Sequence, residues 1–307
     1  MEFIILGFGN DPELQPLVFL LFLLIYVATV AGNSLIIVLV IADHHLHTPM
    51  YYFLGHLSFL EVCYTSAFLP PLLASLLSRD RTISAKVCVG QLLIFGTFST
   101  VEPVLLSAMS YNRYLAICRP LRYAALMNGR LCCQIAGGCW ISSFLLCAIA
   151  NSLVWQLRFC GSKEIDHFFC DYSSMIKLSC DDTSTVEMVT AVVADIGVFV
   201  PFLLTLTSYI VIIAAILRIP SATGRKKAFS TCSSHLIVLV IFFVSVITVF
   251  VVPTANTPKV LHKIFSVFYT VLTPLLNPVI YCLRNKEVKG ALRKAVLQLA
   301  ASRNHRS

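Results

Sequence analysis

The chain has 307 residues, 58% of them hydrophobic and 12% charged, with a net charge of +8. Soluble domains carry roughly a quarter charged residues, so this composition excludes an ordinary water-soluble fold and marks a membrane protein. The positive charge gathers in the loops of one face, which excludes nucleic acid as the partner that it would otherwise suggest.

Seven apolar runs each reach the roughly 17 to 20 residues that cross hydrocarbon. They cover residues 17–41, 51–77, 87–117, 131–154, 188–217, 228–252 and 264–283. No basic stretch precedes the first, which is also too long for a signal-peptide core, so it is expected to stay as an uncleaved anchor. Loops are short except for residues 155–187. Past the seventh run, residues 285–301 place Val288, Ala291, Leu292, Ala295, Val296 and Leu299 on one helical face, with Lys286, Lys289, Arg293 and Lys294 elsewhere. That pattern reads as an interfacial helix lying on an anionic leaflet, with membrane lipid as its partner. The expectation is an all-α membrane protein: a seven-transmembrane-helix bundle over residues 1–301 with a short amphipathic C-terminal helix, then a tail at 302–307.

Lysine and arginine in short loops set the orientation. One side holds Arg119, Arg122, Arg130, Arg218, Arg225, Lys226, Lys227 and the basic tail, with only Asp43 and Glu287 as acids. That side is read as cytoplasmic, which puts the N-terminus outside and the C-terminus inside a plasma membrane. Cys88, Cys160, Cys170 and Cys180 then fall on the oxidising side. Four cysteines allow three pairings, and spacing alone does not choose among them. The remaining eight read as small packing residues.

Glu61, Glu102, Arg113 and Asp195 are ionisable side chains inside the runs, and each needs a partner, a proton or water. A lone guanidinium near hydrocarbon costs about 2.5–3.5 kcal/mol on insertion scales, so Arg113 is read as functional. Glu61 and Glu102 sit mid-span in the second and third runs and can share a depth. Facing carboxylates repel, and a shared proton or a bound sodium ion relieves them; the alternative is two neutral acids hydrogen-bonded to Ser and Asn side chains. Asp195 offers an amine site if it faces the bundle and is merely solvated if it faces the headgroups.

Residues 109–121, Met-Ser-Tyr-Asn-Arg-Tyr-Leu-Ala-Ile-Cys-Arg-Pro-Leu, resemble the third-helix signature of rhodopsin-like receptors in the form found in vertebrate olfactory receptors. Gly32-Asn33, the run from Thr48 to Leu54, Leu57 to Glu61, Lys227 to Leu236 and Pro274 to Tyr281 fit the same family in the same order. The resemblance implies a pocket for a small volatile odorant in the outer half, and an inner cleft for a heterotrimeric G protein of the stimulatory, olfactory type, raising cAMP. It also implies the pairings Cys88–Cys170 and Cys160–Cys180, which pin the long loop over the pocket as a lid. Asn112, Arg113, Tyr114, Tyr209, His235, Asn277, Pro278 and Tyr281 match positions of the activation switch. Members usually carry an acid where Asn112 stands; an amide supplies no counter-charge, so a weaker lock on the resting state and raised basal signalling are expected. Pro201, Pro274 and Pro278 each remove a helix hydrogen bond, and Asn277 is expected to satisfy a freed carbonyl.

For the pocket, Phe95, Gly96, Ser99 and Thr100 of the third helix recur at helical spacing, as do Phe243, Val246, Ile247 and Phe250 of the sixth. Val193 and Gly197, Val267 and Thr270, and Asp171 and Tyr172 of the lid complete a mostly apolar set suited to a small neutral ligand. Phe243 stands where members usually have tyrosine, which implies a preference shifted toward apolar odorants. An amine receptor would want a carboxylate on the outer third helix, and residues 87–101 have none; a light receptor would want a lysine within 264–283, which is also missing. The alternative from another class is a transporter or a proton or cation pathway along the intramembrane carboxylates, but no internal repeat accompanies them. No nucleophile, base and orienter converge, so the chain is not read as an enzyme. His44, His45 and His47 read as a hydrated loop rather than a metal site, and no Asn-x-Ser/Thr sequon occurs.

Overall fold

The computed structural model describes residues 1–8, 13–78, 81–160, 163–251 and 259–304; the side chains of Phe250 and Leu299 lie outside the described set. In chain order the elements are β1 (Glu2–Ile5), α1 (Leu14–Ala42), a single 3-10 turn (His44–Leu46), α2 (Pro49–Ser78), β2 (Thr82–Ser84), α3 (Ala85–Cys118), α4 (Pro120–Leu126) and α5 (Gly129–Gln156). Then come β3 (Glu164–Ile165), α6 (Tyr172–Lys177), α7 (Ser184–Leu217), α8 (Ala222–Val251), α9 (Lys259–Val267), a π-helical turn (Phe268–Leu272), α10 (Thr273–Arg284) and α11 (Lys286–Asn304). Helices α1, α2, α3, α5, α7 and α8 and the broken α9–α10 element are the seven spans. Leu17, Leu20, Leu24 and Val27 of α1 and Val200, Leu203 and Leu204 of α7 stay exposed, as a hydrocarbon surround requires.

Polar residues at the helix ends carry the helices past the apolar runs. Ser84 Oγ accepts from Val87 N–H at 3.3 Å and starts α3 two residues before its run. Asn128 Oδ1 accepts from Leu131 N–H at 2.9 Å and starts α5. Helix α8 begins at Ala222, within the basic stretch, and bends by 50° between Ala222–Ser230 and Cys232–Thr248.

The seventh span shows how proline is accommodated. Pro278 has no N–H, so the carbonyl of Pro274 loses its helix partner. Asn33 of α1 supplies the replacement, donating from Nδ2 to Pro274 O at 3.1 Å and to Thr29 O at 3.0 Å. Gly32 makes this approach possible: a Cβ there would lie 3.0 Å from Pro278 Cγ. The freed carbonyl is thus served by Asn33 and not by Asn277, whose amide turns to Glu61 instead.

A cap closes one end. Strand β1 pairs antiparallel with β2 and parallel with β3, giving a sheet ordered β2-β1-β3. Phe3 is fully buried between this sheet and Cys88, Val89 and Leu92. Disulfides join Cys88 to Cys170 and Cys160 to Cys180, with Cα separations of 5.6 and 5.9 Å. Lys263 Nζ donates to Gly7 O and to Asp166 Oδ1, both at 2.7 Å, so one ammonium ties the N-terminal segment, the long loop and the seventh span. At the opposite, basic end, α11 packs Val288 and Ala291 into the core, and Lys294 lies 3.5 Å from Asp43.

Candidate functional site

Two cavities lie at opposite ends of α3. Beneath the cap, about 200 Å³ is bounded by α2, α3, α5, α6, α7, α8, the π-helical turn and the loop before α6. Of the sequence-derived pocket residues, Phe95, Gly96, Ser99, Thr100, Asp171, Tyr172, Val193 and Val246 line it. Gly96 gives Tyr172 its place: a Cβ there would meet the phenol ring and hydroxyl at 3.4 Å. Burial first, and the Cys147 thiol second, push the Tyr172 hydroxyl above its ordinary value, so it remains a proton donor.

Other expected lining residues sit elsewhere. A Cβ on Gly197 would come 2.8 Å from Thr100 Cγ2, so this glycine is where α7 closes on α3, not a cavity wall. Phe243 packs on Phe202 and Phe242, each at 5.2 Å between ring centroids, and Phe242 faces the cavity in its stead. Ile247 packs against the hydrophobic core. Val267 faces a separate groove with Phe8, Val18 and Phe22. Thr270 is buried and donates to Ser266 O at 2.7 Å, while Tyr269 lines the cavity. The π-helical turn adds a residue and rotates the helix face by one position, which simple helical spacing does not anticipate. Asp195 is exposed on the outer face of α7, away from the cavity.

Reasoning from α3, α7 and α8 also missed residues on the other walls, namely Tyr64 of α2, Cys147 and Ala150 of α5, and Phe169 of the loop. Phe169 was legible in part, since it belongs to the His167-Phe168-Phe169-Cys170 run that the Cys88 bridge holds over α3. Its ring centroid lies 4.4 Å from that of Phe95. In the long loop, Arg158 grips Asp181 through Nε at 2.9 Å and Nη2 at 2.7 Å. Hydrogen bonds from the Arg158 side chain first, and from its backbone N–H second, hold the Asp181 carboxyl below the ordinary carboxylate value.

The basic end holds a larger cavity of about 750 Å³, lined by Asn112, Arg113, Tyr51, Lys226, Lys227, Ser234 and Glu287 among others. Arg113 is half-buried and its Nε has no partner; Asn112 is buried and its Oδ1 has none either. Asn112 therefore makes no lock on the guanidinium. Tyr209 Oη lies 2.8 Å from His235 Nδ1, tying α7 to α8. Tyr281 is buried with an unpartnered hydroxyl. Tyr114 instead faces an outward groove with Tyr111, Leu203, Leu204 and Thr207, away from the cavity.

Deeper in the bundle, Glu61 and Glu102 are both buried, and Glu102 also lines the capped cavity. Asn277 Nδ2 donates to Glu61 Oε1 at 2.5 Å. Glu61 Oε2 and Glu102 Oε1 have no protein partner. Among the described residues no three His, Cys, Asp or Glu side chains cluster as a metal site.

Comparison with known proteins gives a consistent result. The family model described as olfactory receptor matches residues 22–299. The chain is 45% identical to human olfactory receptor 2G6 over 304 residues, covering 99% of this chain and 96% of that one. It is 47% identical to human olfactory receptor 6F1 over 293 residues, 95% of each chain, and 43% identical to mouse olfactory receptor 1M1 over 295 residues, 96% and 94%. Its fold is similar to the crystal structure of squid rhodopsin, with a TM-score of 0.74 at 18% identity, covering 94% of this chain and 87% of that chain.

Proposed function

The chain belongs to the olfactory receptor family, a signalling receptor and not an enzyme, and from that premise we propose that it binds a small volatile, mostly apolar odorant beneath the cap and activates a heterotrimeric G protein of the stimulatory, olfactory type, raising cAMP. The observation that carries this reading is that one helix, α3, walls both cavities: Phe95, Gly96, Ser99 and Thr100 line the capped one, and Asn112 and Arg113 line the basic one. Thirteen residues separate Thr100 from Arg113, a rise of about 20 Å in a helix. A ligand wedged between α3, α7 and α8 biases their packing, and the biased packing is read at the far end of the same helix.

Orientation follows from the loops, with the cap outside the plasma membrane and the basic end in the cytosol. On that side Arg113 Nε and Asn112 Oδ1, both unpartnered and on residues lining the basic cavity, supply hydrogen-bonding groups to an incoming G-protein segment. The proline-broken α9–α10 element and the bent α8 are the parts able to move at low cost. Helix α11 rests on the inner leaflet through its basic face. The carboxyl pair Glu61 and Glu102 is proposed to hold a proton or a sodium ion in the resting receptor. Screening a chemically diverse odorant panel for cAMP, in cells supplied with the olfactory G protein, tests the reading; ligand-evoked cAMP is expected, and substrate uptake in G-protein-free vesicles would overturn it.

A further inference from the structure

The polar groups that line the capped cavity are unevenly used. Ser99 and Thr100 spend their protons on Gly96 O at 3.0 and 2.8 Å, and Thr190 spends its own on Val186 O at 2.8 Å. Asp171 Oδ2 accepts from Ser173 Oγ at 2.7 Å and Ser174 N–H at 3.2 Å, which fixes the carboxylate as the N-cap of α6. Three buried atoms of lining residues are left over: Glu102 Oε1 of α3 and, on adjacent residues of the lid, Asp171 Oδ1, a pure acceptor, and Tyr172 Oη, which can give and take. A buried polar atom without a partner is costly, so a ligand that satisfies it gains affinity over one that does not.

We infer that the preferred ligand carries a neutral hydroxyl, an alcohol or phenol on a small hydrocarbon frame, with that hydroxyl held at the lid by Asp171 Oδ1 and the Tyr172 phenol. This assignment rests on the odorant-sensing reading above and adds the ligand's chemical class. An alcohol donates to the carboxylate oxygen and accepts from the phenol, whereas an ether, aldehyde or alkane leaves Asp171 Oδ1 dry and unpaired. The apolar remainder lies against Phe95, Val198 and Val246. At about 200 Å³ the chamber is smaller than the sites that take larger ligands, so the frame is small. An ammonium at the lid is disfavoured because half of the Asp171 carboxylate is committed to the α6 cap and the neighbouring Tyr172 phenol brings no charge to replace lost hydration.

The test compares an alcohol, its methyl ether, aldehyde, amine and parent alkane on each of several carbon skeletons, by cAMP response at matched surface expression of the full chain. The alcohols are expected to be more potent than their ethers by about tenfold. Tyr172→Phe, which keeps the ring, should remove much of that advantage. Asp171→Asn should reverse it: the cap donors keep the amide oxygen on their side, which turns the NH₂ group into the chamber and favours the aldehyde and ether. Equal potency of alcohols and ethers, or a response to amines alone, overturns this inference and leaves the odorant-sensing reading standing. Silence to every compound in a receptor shown at the surface overturns both.

Discussion

The two ends of the bundle are built on opposite principles. At the capped end a three-stranded sheet, two disulfides, the Lys263 clamp and the Arg158–Asp181 pair fasten loops that would otherwise move. At the basic end, Arg113 Nε and Asn112 Oδ1 are buried without partners at a cavity of about 750 Å³, and His235 Nε2 and Tyr281 Oη are also buried without partners. One end is fastened by internal bonds around a small chamber that leaves only a few lining atoms for a ligand, while the other leaves its hydrogen-bonding groups to something that arrives. A receptor needs that asymmetry: a shaped site must be fixed to select a ligand, and a switch must stay close in energy between two arrangements.

The largest break in the comparison comes from loosening the fixed end. Cys170→Ser unties the loop from α3, and disulfide removal typically costs about 2–5 kcal/mol, so surface expression and any odorant response should both be lost. Surface staining beside a cAMP assay reads it, and a normal response would mean that the cap is ornamental. Next in size is Asn33→Ala, which leaves Pro274 O buried without a donor. It should cost about 1–3 kcal/mol, seen as a lower melting temperature of the purified receptor, and an unchanged melting point would show that the seventh span does not depend on α1.

At the loose end, Asn112→Asp places a carboxylate beside Arg113 and supplies the missing lock. Ligand-free cAMP should fall by several-fold, on the order of the 1–3 kcal/mol of a charged hydrogen bond, and unchanged basal activity would contradict an unlocked switch. The smallest effect concerns acid. Asp181 has its carboxyl lowered by Arg158, so its contribution to cap stability is fully present above the ordinary carboxylate value and is lost as pH falls through the lowered one. Unfolding of the cap should therefore gain a slight acid sensitivity below about pH 4, and Arg158→Ala should remove it.

Much of this was legible from residue order alone. The seven runs, the long loop and the amphipathic face around Val288 and Ala291 follow from hydrophobic patterning, and the cysteine pairs follow from family resemblance. What escaped was tertiary. Glu2 to Ile5 is too short to declare itself a strand and becomes one only because β2 and β3 flank it. Asn33 as the partner of Pro274 O joins residues 241 positions apart. The cavity walls from α2 and α5, Tyr64 and Cys147, carry no local signal, and Thr270 gave way to Tyr269 because a π-helical turn changes the register that helical spacing assumes.

In the proposed reading the coupling between the ends runs through α3 and is delivered at Arg113. Arg113→Ala, in a receptor verified at the plasma membrane and given an odorant that activates the unmodified chain, tests this most directly through stimulated nucleotide exchange on the G protein. The expected result is odorant binding retained with nucleotide exchange abolished; undiminished exchange without the guanidinium would contradict the account.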